Sequence, residues 1–153
     1  MIAKELCIPL RLQAVQCLEK RILSTHPQYP LILADLTKRR AGYYGERSLC
    51  YYFQQLPSTS YLFHNLRLEH EDTPFEMDVF ILYPTHAVII ETKNIVGEIH
   101  FDSQFGQLIR TWNDKKEAFP DPIAQARRQQ TLIGDWLLHQ LGFPVPVEYL
   151  IVV

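Results

Sequence analysis

Two runs, Phe75–Tyr83 (FEMDVFILY) and His86–Lys93 (HAVIIETK), are separated only by Pro84 and Thr85, and their reading decides the fold. Both are rich in β-branched and aromatic residues, the composition of strands, and a two-residue connection turns one strand antiparallel to the next. With an even-length loop Tyr83 pairs with His86, and counting outward sets Asp78 opposite Glu91. Directly opposed Cβ atoms lie about 4.5–5.5 Å apart. Side chains alternate with period two, so Lys93 shares the face of Glu91, and Asp78 shares its face with Phe80 and Leu82.

Acids on an apolar face are costly. Like charges directly opposite repel, and partial burial raises the pKa of at least one of them, so the pair opposes folding unless a cation sits between them. A hard divalent cation meets that need. Mg²⁺ takes oxygen ligands, keeps several waters, and is commonly held by one or two carboxylates together with phosphate oxygens. A lysine beside it can position water or steady charge on a phosphate. The plainer alternative is a pair of surface acids with Lys93 as their ion-pair partner, since E-x-K alone specifies little.

The chain has 153 residues, one domain's worth, and at 47% hydrophobic and 21% charged it is globular. The formal net charge of -2 excludes a global field that draws the protein to nucleic acid. Phosphate contacts must then come from local clusters: Lys38, Arg39 and Arg40; Lys115 and Lys116; Arg127 and Arg128. Cys7, Cys17 and Cys50 are odd in number and lack C-x-x-C spacing, which suits reduced thiols. With no apolar leader and no run long enough to span a bilayer, the expectation is a cytoplasmic protein with no membrane partner.

Pro9 can open a helix carrying Leu12, Val15, Leu18 and Ile22, ending by His26–Pro30 (HPQYP); it reads as an N-terminal appendage, residues 1–36. A second helix is expected from about Asp35 to Leu56, stopped by Pro57, with Leu49, Phe53 and Leu56 as its buried stripe. Glu46 falls on that stripe, and either snorkels out or points at a cation. Tyr61–Leu68 reads as a strand, and Ile95–Thr111 as a further hairpin turning around Ser103–Gly106. Asp121 caps a helix with Pro122 at its first position, which Gly142 stops near Leu141. Gln125 lies beside the apolar stripe of that helix. Val145–Val153 reads as a buried strand, and because it is still apolar at the last residue a longer parent chain is expected.

This order of elements, with an acid on the second helix and D-x12-E-x-K on the hairpin, resembles the PD-(D/E)XK nuclease superfamily and, more narrowly, the NERD (nuclease-related) domain. The resemblance rests on Gly45 and Glu46, Asp78, Ile90-Glu91-Thr92-Lys93-Asn94, Gly97, Trp112, Asp121-Pro122-Ile123 and Gln125, within residues 37–153. It implies an α/β fold with a restriction-endonuclease-like core, a central mixed β-sheet flanked by helices, here preceded by the helical extension. It further implies Mg²⁺, with Mn²⁺ able to substitute, held by Asp78, Glu91 and the Thr92 carbonyl. Lys93 would assist the nucleophilic water, Glu46 would complete the acidic cluster, and Gln125 would support substrate or site.

Met77, Val79 and Asp121 depart from the residues such sequences often carry, and none is among the four proposed acid and base side chains. The expected activity is Mg²⁺-dependent hydrolysis of phosphodiester bonds, of DNA more than RNA. The other function the resemblance permits is a nucleic-acid-binding module without chemistry, working with a partner nucleic-acid-processing domain or protein.

Overall fold

The computed structural model describes Met1–Val153. In chain order the elements are β1 (Ile2–Lys4), α1 (Leu10–Glu19), α2 (Tyr29–Ser48), α3 (Cys50–Phe53), β2 (Tyr61–His70), β3 (Thr73–Leu82), β4 (Ala87–Thr92), β5 (Glu98–Asp102), β6 (Gln107–Trp112), β7 (Lys115–Pro120), α4 (Pro122–Leu141) and β8 (Val147–Val152). Five strands form the central sheet in the order β1-β2-β3-β4-β8. β3 runs antiparallel to both of its neighbours, β2 and β4, while β1 joins β2 and β8 joins β4 in parallel, so the sheet is mixed. β5, β6 and β7 form a separate antiparallel sheet. No helix is long and apolar enough to cross a membrane.

Each face of the central sheet has its own core. On one, Phe75, Met77, Phe80, Ala87 and Ile89 pack against Ile133 and Leu137 of α4. On the other, Leu62, Val79, Ile81 and Ile90 pack against Leu49, Phe53 and Leu56, the stripe expected from helical spacing. α4 is bounded as its sequence dictates. The Asp121 carboxylate accepts from the Ile123 N–H, Pro122 occupies the first turn, and Gly142 closes the helix at φ 77°, a left-handed conformation glycine adopts without a Cβ clash.

The N-terminal region holds the expected helix, α1 behind Pro9, and a strand besides. β1 extends the sheet, and the Met1 ammonium donates to the Ser60 carbonyl at 2.6 Å. α2 begins at Tyr29, not near Asp35, because Pro30 sits in its first turn, where the missing N–H is harmless. Residues 36 and 37 therefore lie inside one helix. The chain also re-forms its helix around Leu49 instead of running unbroken to Leu56. β7 goes beyond the expected hairpin. Asn113 and Asp114, at φ 50° and 57°, make the two-residue turn that adds it to the small sheet. The last strand is an edge strand, not a buried one: its residues alternate in exposure and Leu150 is 56% exposed.

Candidate active site

The register of the central hairpin is the one counted from the loop. Leu82 pairs with Ala87 and Val79 with Ile90, and the Tyr83 N–H donates to the His86 carbonyl. The ladder stops there, one residue short of Asp78 and Glu91. Asp78 instead turns its Oδ2 to Thr92, accepting from the backbone N–H at 2.9 Å and from the hydroxyl at 2.8 Å. The expected direct pairing of Asp78 with Glu91 is thus replaced by a side-chain clasp from the middle of β3 to the end of β4.

The cause lies in β2. Asn65 has φ 46°, a left-handed conformation that asparagine tolerates better than most residues, and it and Asp78 drop out of the β2–β3 ladder together. The alternation of both strands inverts at this point. Met77 belongs to the α4-side core and Val79 to the opposite one, although they are two apart, and Phe80 returns to the α4 side. Asp78 therefore sits at the crossing of the two faces, not on the Phe80 face throughout as strict period two requires. From a crossing, one carboxylate can face groups carried by helices on both sides of the sheet.

Glu91 arrives on the α4 side and is 1% exposed. Its Oε1 accepts from Lys93 Nζ at 2.6 Å and its Oε2 from Gln129 Nε2 at 3.2 Å. Lys93 Nζ also donates to Gln125 Oε1 at 3.2 Å. Glu46 arrives from α2 on the other side, and its Oε2 accepts from Asn65 Nδ2 at 2.9 Å. Gly45 permits this approach. The helix lies against Asn94, just past Lys93, whose Nδ2 donates to the Ala41 carbonyl at 2.7 Å.

The three acids share one electrostatic environment. Burial pushes the Glu91 carboxyl above its ordinary range and Asp78 adds to the rise, while Lys93 and Gln129 oppose it. Glu46 is raised by burial, with Asp78, Glu76 and Glu91 reinforcing the effect against the Asn65 hydrogen bond. Such groups favour a cation nearby.

The donor set is compatible with one. No three His, Cys, Asp or Glu side chains close into a ready-made cage. Asp78 Oδ1 and Glu46 Oε1, however, carry no hydrogen bond, and few protein oxygens suit Mg²⁺, which keeps waters.

The structure thus brings Glu46, Asp78, Glu91, Thr92, Lys93 and Gln125 to one place. Three further contributors escape the sequence reading. Asn65 and the Thr92 side chain orient Glu46 and Asp78, and no pattern marks them in advance. Gln129, 5% exposed, does leave a signal, since it follows Gln125 by one helical turn.

Residues 41–153 match the nuclease-related domain, NERD. No curated protein and no solved structure matches the chain. The matched segment spans every residue of the acidic centre, from Glu46 on α2 to Gln125 on α4, and the five-stranded mixed sheet between helices is the architecture expected of that family. The chain belongs to the nuclease-related domain family, within the restriction-endonuclease-like PD-(D/E)XK superfamily.

Proposed function

We propose that this nuclease-related domain hydrolyses phosphodiester bonds of DNA with Mg²⁺, for which Mn²⁺ can substitute. The observation that carries the reading is the convergence of Glu46, Asp78 and Glu91, in which burial and the Asp78 charge raise both glutamates, beside a lysine that is already hydrogen-bonded into the centre. Acids held this way gain most from a divalent cation, and a phosphodiester is the substrate whose oxygens complete its shell.

Asp78, Glu46 and Glu91, with the Thr92 carbonyl, would hold the cation. Bound there, it would neutralise charge on the phosphate and lower the pKa of a water. The protein's own groups do the positioning. Lys93 Nζ has three N–H donors and spends two on Glu91 and Gln125, leaving one for the attacking water. Because a lysine can only donate, it fixes the Gln125 oxygen on its side. The Gln125 NH₂ is then left as a donor for a phosphate oxygen.

Incubating the protein with linear, circular and single-stranded DNA, and with RNA, with and without Mg²⁺ or Mn²⁺, tests the reading. Cation-dependent cleavage that is lost in Lys93→Ala is expected. Binding without cleavage of any of these substrates would replace the enzyme with a binding module that recruits a partner domain to DNA.

A further inference from the structure

Gln129 is the one uncharged side chain buried against the acids, and its amide is oriented by chemistry, not by choice. Its Nε2 donates to the Glu76 carbonyl at 2.7 Å and to Glu91 Oε2 at 3.2 Å. The backbone carbonyl can only accept, so the nitrogen must face it. Its Oε1 is consequently buried with no hydrogen-bond partner. A buried acceptor left unsatisfied costs free energy, and native structures keep few of them. An apolar side chain would remove that cost only by stranding the Glu76 carbonyl and Glu91 Oε2, so the glutamine is kept for its donors and its oxygen is left over.

We propose that Gln129 is a positioning residue for the cation centre: its Nε2 fixes Glu91 from behind, and its Oε1 accepts from a water that becomes ordered when the cation binds. The inference rests on the divalent-cation reading above and adds a residue to it. The donor side is supported by the pairing of Glu91, whose Oε1 is held by Lys93 and whose Oε2 is held by Gln129 alone. The acceptor side is supported by the orphaned oxygen, which belongs to the same amide and so lies within reach of the site. Groups that orient a metal ligand in this manner typically contribute 10–100-fold to affinity, roughly the range expected here.

The test measures affinity, not turnover. Mn²⁺ and Mg²⁺ are titrated calorimetrically into the parent, Gln129→Met and, as a control, Gln130→Met; Gln130, on the same helix, donates to the Val147 carbonyl of β8, away from the acids. Gln129→Met is expected to bind Mn²⁺ about 10–100-fold more weakly and, because Glu91 Oε2 and the Glu76 carbonyl lose their donor, to unfold at a lower temperature than the parent. Gln130→Met is expected to lower the unfolding temperature and leave affinity unchanged. Independently of any variant, the Gln129 NH₂ resonances of the parent should shift on adding Mg²⁺ and those of Gln130 should not. Unchanged affinity in Gln129→Met, or resonances indifferent to the cation in a parent that binds it, overturns the proposal alone. A parent that binds neither cation overturns both this proposal and the reading beneath it.

Discussion

A Cβ placed on Gly45 would lie 2.5 Å from the Cβ of Asn94, so the helix that carries Glu46 and the strand end that carries Lys93 touch through a missing side chain. Gly45→Ala must push α2 away from β4, and Glu46, the next residue, moves with it. Overpacking of this kind costs about 1–3 kcal/mol, and the displaced acid should weaken cation binding as well. Gly42, three residues earlier on the same helix, faces open space, with nothing within 4 Å of where a Cβ would stand. Gly42→Ala should therefore stabilise the protein by roughly 0.5–1 kcal/mol through helix propensity alone. Denaturant midpoints of the two variants should move in opposite directions; a common direction would mean that the close approach is not rigid.

The raised carboxyls set a pH dependence opposite to the usual acidic one. Burial first, then Asp78, Glu76 and Glu91, lift Glu46 above its ordinary value of 4.5, and Glu91 is lifted by burial and Asp78. A carboxyl raised in the fold binds its proton more tightly than in the unfolded chain. Its ionisation penalty is fully present above the raised value and vanishes below 4.5, so this contribution to stability grows as pH falls through that window. Glu46→Gln keeps an oxygen for Asn65 and drops the charge. Without divalent cation the variant should melt higher than the parent at neutral pH, and the gap should close by about pH 4.5. A gap that stays constant with pH would show that the charge is not what the fold resists.

The hairpin register, the capped helix after Asp121 and the apolar stripe Leu49, Phe53 and Leu56 are legible in the sequence because each rests on a local rule: loop parity, a cap with proline behind it, and helical spacing. What is not legible depends on contacts between distant segments. The inversion of strand faces at Asn65 and Asp78 needs both strands at once, and neither residue alone announces a left-handed backbone. β1 is three residues long and gains its place only by pairing with β2, some sixty residues away. The start of α2 is ambiguous because proline ends helices and begins them, and the sequence HPQYP does not say which. At the site, the ionisable side chains can be named from spacing and resemblance; the neutral groups that aim them, Asn65, Thr92 and Gln129, are visible only in three dimensions.

The Asp78 charge acts on both other acids, so it should control cation binding more than any single neighbour's. Asp78→Asn retains an oxygen able to accept both Thr92 hydrogen bonds, and the clasp between β3 and the end of β4 survives. In the absence of cation the variant should be as stable as the parent or more so, because Glu46 and Glu91 lose a repelling partner. Mg²⁺ should raise the thermal midpoint of the parent by binding the folded form, at about 2.7 kcal/mol for a concentration 100 times the dissociation constant, and should leave the variant unmoved. Equal responses would place the cation elsewhere on the molecule.

Lys93 is the residue whose removal separates binding from chemistry. Its ammonium lies 2.6 Å from Glu91 Oε1, with the lysine side chain 26% exposed and the glutamate 1% exposed. Lys93→Ala leaves a buried carboxylate held by Gln129 alone, so the metal-free variant should lose about 2 kcal/mol at neutral pH, less than the 3–5 kcal/mol of a fully buried broken pair. A divalent cation replaces the missing positive charge. The variant should bind Mg²⁺ at least as tightly as the parent and recover its stability when it does, while DNA cleavage falls by two or more orders of magnitude, on the order of 3 kcal/mol. Lys93→Arg should restore the charge and not the rate, because a planar guanidinium does not reproduce a compact ammonium beside the attacking water. Calorimetric Mg²⁺ affinity and single-turnover cleavage, measured on the same preparations, check both halves; a variant that loses affinity and rate in proportion would assign Lys93 to cation binding instead.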